Sequence, residues 1–195
     1  RWDIEKPNYG IQDMTEFRNQ LVQEFALAVE ASPPDFVIFA DYAKGLFSDE
    51  CAQQFMQICQ KHNVKSIVDP KQGLHKWKGC TVFKPNAKEA TNLTGKCKVK
   101  DQIEDIKKAT GCSLVIVTQS GQGVHIGSDE YSFIKGSKVL EVQSVIGAGD
   151  CFSAFLAMGL HYFNFESAVN LAFNAGSVYV QNRYNKPITQ HELLS

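Results

Sequence analysis

The chain has 195 residues, 44% hydrophobic and 21% charged, with a formal net charge of −1. That balance suits one folded domain with a sizeable core, and Lys and Arg spread along the chain argue against nucleic acid or an anionic membrane as partner. No stretch of about 18 apolar residues offers a membrane span, which leaves a small molecule as the expected partner.

Arg1 to Gly10 is polar and broken by Pro7 and Gly10, so it reads as an edge strand or connector. Asp13 followed by Glu16 is a capping pattern, and Phe17, Leu21, Val22, Phe25 and Val29 recur at helical spacing, predicting a helix over 14–31. Ser32-Pro33-Pro34 stops it. Phe36 to Ala40 is a continuous apolar run, expected to be a strand buried on both faces, and it ends in the polar loop Asp41 to Gly45. Ser48 caps a predicted helix to about His62, and a strand follows over 65–69. A short strand over 80–84 precedes a helix that Pro85-Asn86 opens and that runs to about Leu93. A helix over 99–109 and a strand over 114–117 complete the alternation, which means βαβ units and a mostly parallel sheet.

From Gly123 the pattern changes. Val124 to Ile126, Tyr131 to Ile134 and Val139 to Val142 are short alternating segments with turn residues between them, the pattern of an antiparallel meander. Two helices follow, to about Tyr162 and over about 166–183, apolar around most of their circumference and so expected to pack against the sheet and not to lie on water. Thr189 with Glu192 forms a last capping box. The six cysteines, Cys51, Cys59, Cys80, Cys97, Cys112 and Cys151, show no C-x-x-C pair. Free thiols and a reducing, cytoplasmic setting are expected, and no signal-peptide pattern opens the chain at Arg1.

The chemistry concentrates in Gly147-Ala148-Gly149-Asp150. Two glycines allow a tight turn whose N–H groups converge, and the helix that follows adds its positive end, making an anion cradle with a carboxylate beside it. Phosphoryl transfer to a hydroxyl is the corresponding reaction, although an Asp in a helix's first turn is also a common cap. A dinucleotide fingerprint would need glycine where Phe152 stands, and a P-loop would need Gly-Lys-Ser/Thr, so neither fits.

Five loops, in order, resemble one family: Asp41-Tyr42-Ala43-Lys44-Gly45, Val68-Asp69-Pro70-Lys71, Lys84 to Glu89, Val117 to Gly123, and Gly147 to Asp150. The chain resembles the ribokinase-like (PfkB) carbohydrate kinases, most closely the kinase domain of bacterial heptose-7-phosphate kinases. The opening Arg1-Trp2-Asp3-Ile4-Glu5 is similar to a segment in the middle of those kinases. The resemblance implies a three-layer α/β/α sandwich, with a mostly parallel sheet and a C-terminal antiparallel meander. It also implies that residues 1–195 are the C-terminal, nucleotide-side portion of a single kinase domain. The expected activity is phosphoryl transfer from ATP, with Mg²⁺, to a sugar or sugar phosphate, heptose 7-phosphate at O1 being the leading acceptor.

Carried over residue by residue, Asp150 matches the catalytic base, and Gly147, Ala148 and Gly149 with its own amide match the anion hole. Asn86 and Glu89 match a pair that organises Mg²⁺ through water, while being equally a helix-start signal. Thr118, Gly121 and Gly123 match the nucleotide-phosphate loop or an ordinary turn, and Asn174 a position near adenine or a plain helix face. Asp41 and Lys44 are expected to face the phosphorylated sugar. Lys71 and Lys84 are weaker candidates, since loop lysines are commonly solvated.

Ser144 and Ile146 depart from the Asp-x-Thr common in the family. Ser144 lacks the charge with which that Asp helps to bind a monovalent cation, so potassium activation is not expected. The family's Gly-Gly sugar-binding segment and lid do not occur in this sequence. The alternative expectation is therefore a nucleotide-binding module or a kinase portion without activity. An edge left unpaired at the sheet predicts self-association, with a homodimer as the form the family allows.

Overall fold

The apolar runs between residues 36 and 118 form the parallel part of a six-stranded sheet with strands in sequential order. The computed structural model describes residues 11–136, 142–182 and 186–194. Helix α1 (Ile11–Ala31) leads to β1 (Phe36–Ala40), α2 (Asp49–Lys61), β2 (Lys65–Asp69), β3 (Val82–Phe83), α3 (Ala87–Thr94), α4 (Val99–Thr110) and β4 (Leu114–Thr118). Then come β5 (Gly123–Gly127), β6 (Tyr131–Lys135), α5 (Ala148–Tyr162), α6 (Phe165–Tyr179) and the short α7 (Gln190–Leu194). β1 to β4 pair in parallel and β4 to β6 antiparallel, so the switch in character at Gly123 is a switch in strand direction.

Alternation along the strands divides the core in two. Val68, Phe83, Val115 and Val117 face one cluster with residues from α1 to α4, and Ile67, Val82, Leu114 and Ile116 face another with Phe152, Leu156 and Phe173. Because side chains of successive strand residues point to opposite faces, a strand that is apolar at every position must be covered by helices on both sides. The result is the expected three-layer α/β/α sandwich.

Three expectations are corrected. α1 begins at Ile11, so Asp13 lies inside its first turn instead of capping it. Ile38 is 38% exposed, so β1, which ends the sheet among the described residues, is not buried on both faces. The outer surface of α5 near its C-terminus is open as well, with Met158 and Tyr162 exposed. Residues 1–10 and 139–141, which carry the predicted edge segment and most of the third meander strand, lie outside the described residues, and Val142 is in no strand.

Among the described residues no helix is long and apolar enough to cross a membrane. The six cysteines are unpaired thiols.

The turn into β5 depends on one glycine. Gly123 has φ +134°, and a Cβ there would lie 2.2 Å from the carbonyl oxygen of Ile134 in β6. That carbonyl is held by the β5–β6 pairing, in which Gly123 opposes Lys135. Gly123→Ala is therefore expected to cost about 3 kcal/mol and to lower the thermal midpoint by about 6–12 °C. A calorimetric shift of less than about 2 °C would show that β6 yields at this point.

Candidate active site

The carboxyl ends of the parallel strands carry the polar loops, and those loops meet α5 and α6 around one cavity of about 470 Å³. That is within the roughly 300–1,000 Å³ typical of small-molecule sites. Tyr42 enters after β1, Asp69 and Lys71 at the end of β2, Lys84 and Asn86 after β3, and Thr118 at the end of β4. This is where open α/β sheets bind ligands, since each strand's end presents a loop to the same side.

The start of α5 forms the anionic end of the design. Gly147 is the N-cap with φ +82°, and a Cβ there would meet the Tyr179 hydroxyl at 2.7 Å, so both conformation and space require glycine. The Gly147 carbonyl accepts from the Cys151 amide at 2.9 Å and the Val145 carbonyl from the Ala148 amide at 3.3 Å, which leaves the Gly149 and Asp150 amides for a ligand. Of the four amides that the resemblance puts in the cradle, that of Ala148 is thus engaged within the turn. Asp150 is exposed and lines the cavity, and its Oδ1 accepts from the Tyr42 hydroxyl at 2.8 Å. The neighbouring Cys151 thiol is pushed up to about 11 by burial, with the Asp150 charge adding. It remains a neutral thiol near pH 7 and is no competing nucleophile.

Two lysines face the same space. Lys84 is 3% exposed, not solvated as its loop position predicts, and its Nζ lies 2.9 Å from Asp69 Oδ2. A Cβ on Gly149 would be 3.5 Å from that same oxygen, so the Asp69–Lys84 pair lies directly against the α5 cradle. Lys71 bonds Glu89 Oε1. Burial disfavours the charged Lys71 ammonium, but the hydrogen bond and charge of Glu89, with Asp69 and Asp150 adding, outweigh it and hold its pKa above the ordinary lysine range. The cavity therefore contains two lysines, each held by a carboxylate, beside helix-end amides, and the lysines are donors that a phosphate can use.

Asn86 and Glu89 form a complete capping box: Asn86 Oδ1 accepts from the Glu89 amide at 2.9 Å, and Glu89 Oε2 from the Asn86 amide at 2.8 Å. They also line the cavity, so the cap geometry is what aims them there. Thr118 donates its amide to the Pro85 carbonyl at 3.1 Å, and its backbone bridges to Asn86, which sets the nucleotide-loop candidate against the metal candidate. Among the described residues no three His, Cys, Asp or Glu side chains gather as metal ligands. The donor set fits Mg²⁺ only in the manner in which that ion is commonly held, through water and substrate phosphates with one or two carboxylates.

Of the remaining sequence candidates, Gly121 lines the cavity, and Gly123 lies outside the lining with a structural role in the β5 turn. Ser120, in the same loop, has φ +50°, a conformation that glycine adopts more readily. Asn174 is exposed and outside the lining, whereas Phe173, Gly176 and Ser177 of the same helix form part of the wall. Asp41 turns inward. It is 3% exposed, its Oδ1 accepts from the Ala43 amide at 2.8 Å, and Lys76 Nζ lies 2.7 Å from Oδ2 as an ion pair without hydrogen-bond geometry. It lies outside the cavity lining, and these bonds shape the loop. Lys44 is exposed on that loop and does not line the cavity. Lining residues to which the sequence assigned no role include Tyr42, Phe152, Phe173 and Val180. Of these only Tyr42 carried a signal, as the residue after a strand-end Asp.

The carboxyl ends of the parallel strands thus bring lysines, carboxylates and helix-end amides into one cavity, an arrangement suited to a phosphorylated ligand. The chain belongs to the pfkB family of carbohydrate kinases, whose sequence profile matches residues 9–189. It is 35% identical over 152 residues to the bifunctional protein HldE of Aliarcobacter butzleri, covering 74% of this chain and 32% of that protein. To the HldE protein of Mesorhizobium japonicum it is 31% identical over 189 residues, covering 93% of this chain and 37% of that one. The chain thus spans about a third of the length of these curated relatives. In fold it is similar to Arabidopsis thaliana ribokinase complexed with ribose and ATP, with TM-score 0.70 at 19% identity, over 95% of this chain and 58% of that one. Phosphofructokinase-2 of Escherichia coli in complex with potassium gives TM-score 0.74 at 20% identity, over 95% and 61%.

Proposed function

We propose that this chain supplies the nucleotide side of an ATP-dependent kinase that phosphorylates a sugar hydroxyl, with heptose 7-phosphate as acceptor at O1. The observation that carries the reading is the cavity shared by Asp150, the α5 amides and Lys71. In this reading the acceptor hydroxyl attacks the γ-phosphorus, a new O–P bond forms, and the bond to the β–γ bridging oxygen breaks to release ADP. The hydroxyl proton passes to Asp150 as that bond forms, and the Gly149 and Asp150 amides receive the charge on the transferring group.

Lys71, Lys84 and the Ser120–Gly121 turn would lie along the phosphates, and the apolar wall of Phe173 and Val180 would take the base. Mg²⁺, when bound with the nucleotide, neutralises phosphate charge. Asn86 and Glu89 would hold its waters. The heptose choice rests on the resemblance of the Asp41 to Gly45 and Asp69 to Lys71 loops and on the likeness to HldE proteins. A cytoplasmic setting and a homodimer belong to the same reading.

The test is ADP release by the full-length protein with ATP, Mg²⁺ and heptose 7-phosphate, beside ribose and fructose 6-phosphate, with ATP binding followed by calorimetry. Acceptor-dependent ADP release that favours the heptose is the expected result. Tight Mg-ATP binding with no transfer to any acceptor would instead make the protein a nucleotide-binding module.

A further inference from the structure

Tyr42 and Asp150 are 108 residues apart in sequence, yet the tyrosine hydroxyl donates to Asp150 Oδ1 at 2.8 Å inside the cavity. The loop that delivers Tyr42 is anchored at several points. Asp41 accepts the Ala43 amide and pairs with buried Lys76, and Lys76 Nζ also donates to the Phe47 carbonyl at 3.0 Å. Arg18 of α1 donates to the Leu46 carbonyl at 3.0 Å and to the Gly45 carbonyl. Ala43 takes a left-handed φ of 57°, which turns the chain back after Tyr42. An exposed aromatic residue at the tip of so constrained a turn is placed, not loose.

The sheet order says which substrate this tyrosine meets. β1 and β4 are separated by β2 and β3, so Tyr42 and the Thr118 turn enter the cavity about 14 Å apart at the usual strand spacing. On the kinase reading the Thr118 turn lies along the donor phosphates, and Tyr42, away from it and bonded to Asp150, stands on the acceptor side.

We propose that Tyr42 is a positioning residue for phosphoryl transfer, holding Asp150 Oδ1 by its hydroxyl so that Oδ2 is aimed at the acceptor hydroxyl. The proposal rests on the kinase reading given above. A carboxylate at the solvent-exposed start of a helix can rotate about its side-chain bonds, and one fixed oxygen removes that freedom before the acceptor arrives. Proton transfer needs the acceptor oxygen within hydrogen-bond reach of the base, so orientation is read in kcat. The Asp41–Lys76 pair acts one step further back, through the turn.

The experiment compares the full-length wild-type protein with Tyr42→Phe in acceptor-dependent ADP release, with Mg-ATP affinity and thermal midpoint measured in parallel. Tyr42→Phe is expected to lower kcat by about tenfold, with acceptor KM within twofold and ATP affinity and midpoint unchanged. In an Asp150→Asn background the same substitution is expected to change residual turnover less than twofold, because its effect passes through the carboxylate. A hydroxyl that merely occupied the acceptor's place would, on removal, lower acceptor KM at constant kcat, and that result overturns the proposal. So does an equal tenfold loss in both backgrounds. A wild-type protein without acceptor-dependent turnover sinks the kinase reading and this proposal together, whereas an active wild type matched by Tyr42→Phe sinks this proposal alone.

Discussion

Asp150→Asn is expected to lower acceptor-dependent ADP release by about 10²–10⁴-fold while the fold stays intact. The substitution is nearly isosteric, and an asparagine oxygen can still accept the Tyr42 hydroxyl that now reaches Oδ1 at 2.8 Å. The first turn of α5 is set by Gly147 and its carbonyl bond to the Cys151 amide, neither of which involves the Asp150 side chain. What disappears is the site for the acceptor proton. Mg-ATP binding should hold or tighten, since the replacement removes a negative charge from beside a phosphate cradle. The paired measurement is kcat with a calorimetric Kd for ATP. Turnover within about tenfold of wild type would mean that another group takes the proton. A loss of ATP binding would instead make Asp150 part of the nucleotide site.

The fold was legible wherever a buried strand has to be apolar at every position. Ile67 and Val68, or Leu114 to Val117, feed two cores from one strand, and no amphipathic helix of that length has such a pattern. β1 read the same way, yet Ile38 is exposed where Phe39 is buried, so among the described residues its two faces are covered unequally. The site loops were legible because each follows a strand, and parallel strands bring their ends together. Hidden were the side-chain directions within those loops. Asp41 and Tyr42 are adjacent, yet one is buried and the other lines the cavity. Which goes inward is decided by Lys76, whose distance in sequence conceals it. Lys84 is similar: a loop lysine reads as solvated until Asp69, across the β2–β3 pairing, gives it a buried partner. The α6 wall was placed near the nucleotide through Asn174, but the helix presents Phe173, Gly176 and Ser177 instead.

Lys76→Met is expected to destabilise the protein by about 3–5 kcal/mol, the usual cost of leaving one member of a buried ion pair alone. Both side chains are 3% exposed, and Asp41 Oδ2 has no hydrogen-bond donor, so Lys76 at 2.7 Å is what balances that oxygen. The Phe47 carbonyl would lose its donor as well. Methionine nearly conserves the volume beside Trp77, whose ring lies 5.4 Å from the ammonium, so the cost would come from charge and not from a cavity. The double variant Asp41→Leu with Lys76→Met separates the two. Removing both charges should recover most of the loss, to within about 1–2 kcal/mol of wild type in urea unfolding. It should not recover turnover, because Asp41 also accepts the Ala43 amide, and the turn that presents Tyr42 to Asp150 depends on that bond. A single-variant loss below about 1 kcal/mol would mean that water reaches Asp41 when Lys76 is gone. Full turnover in the double variant would mean that Arg18 and Ala43 hold the Tyr42 turn without the pair.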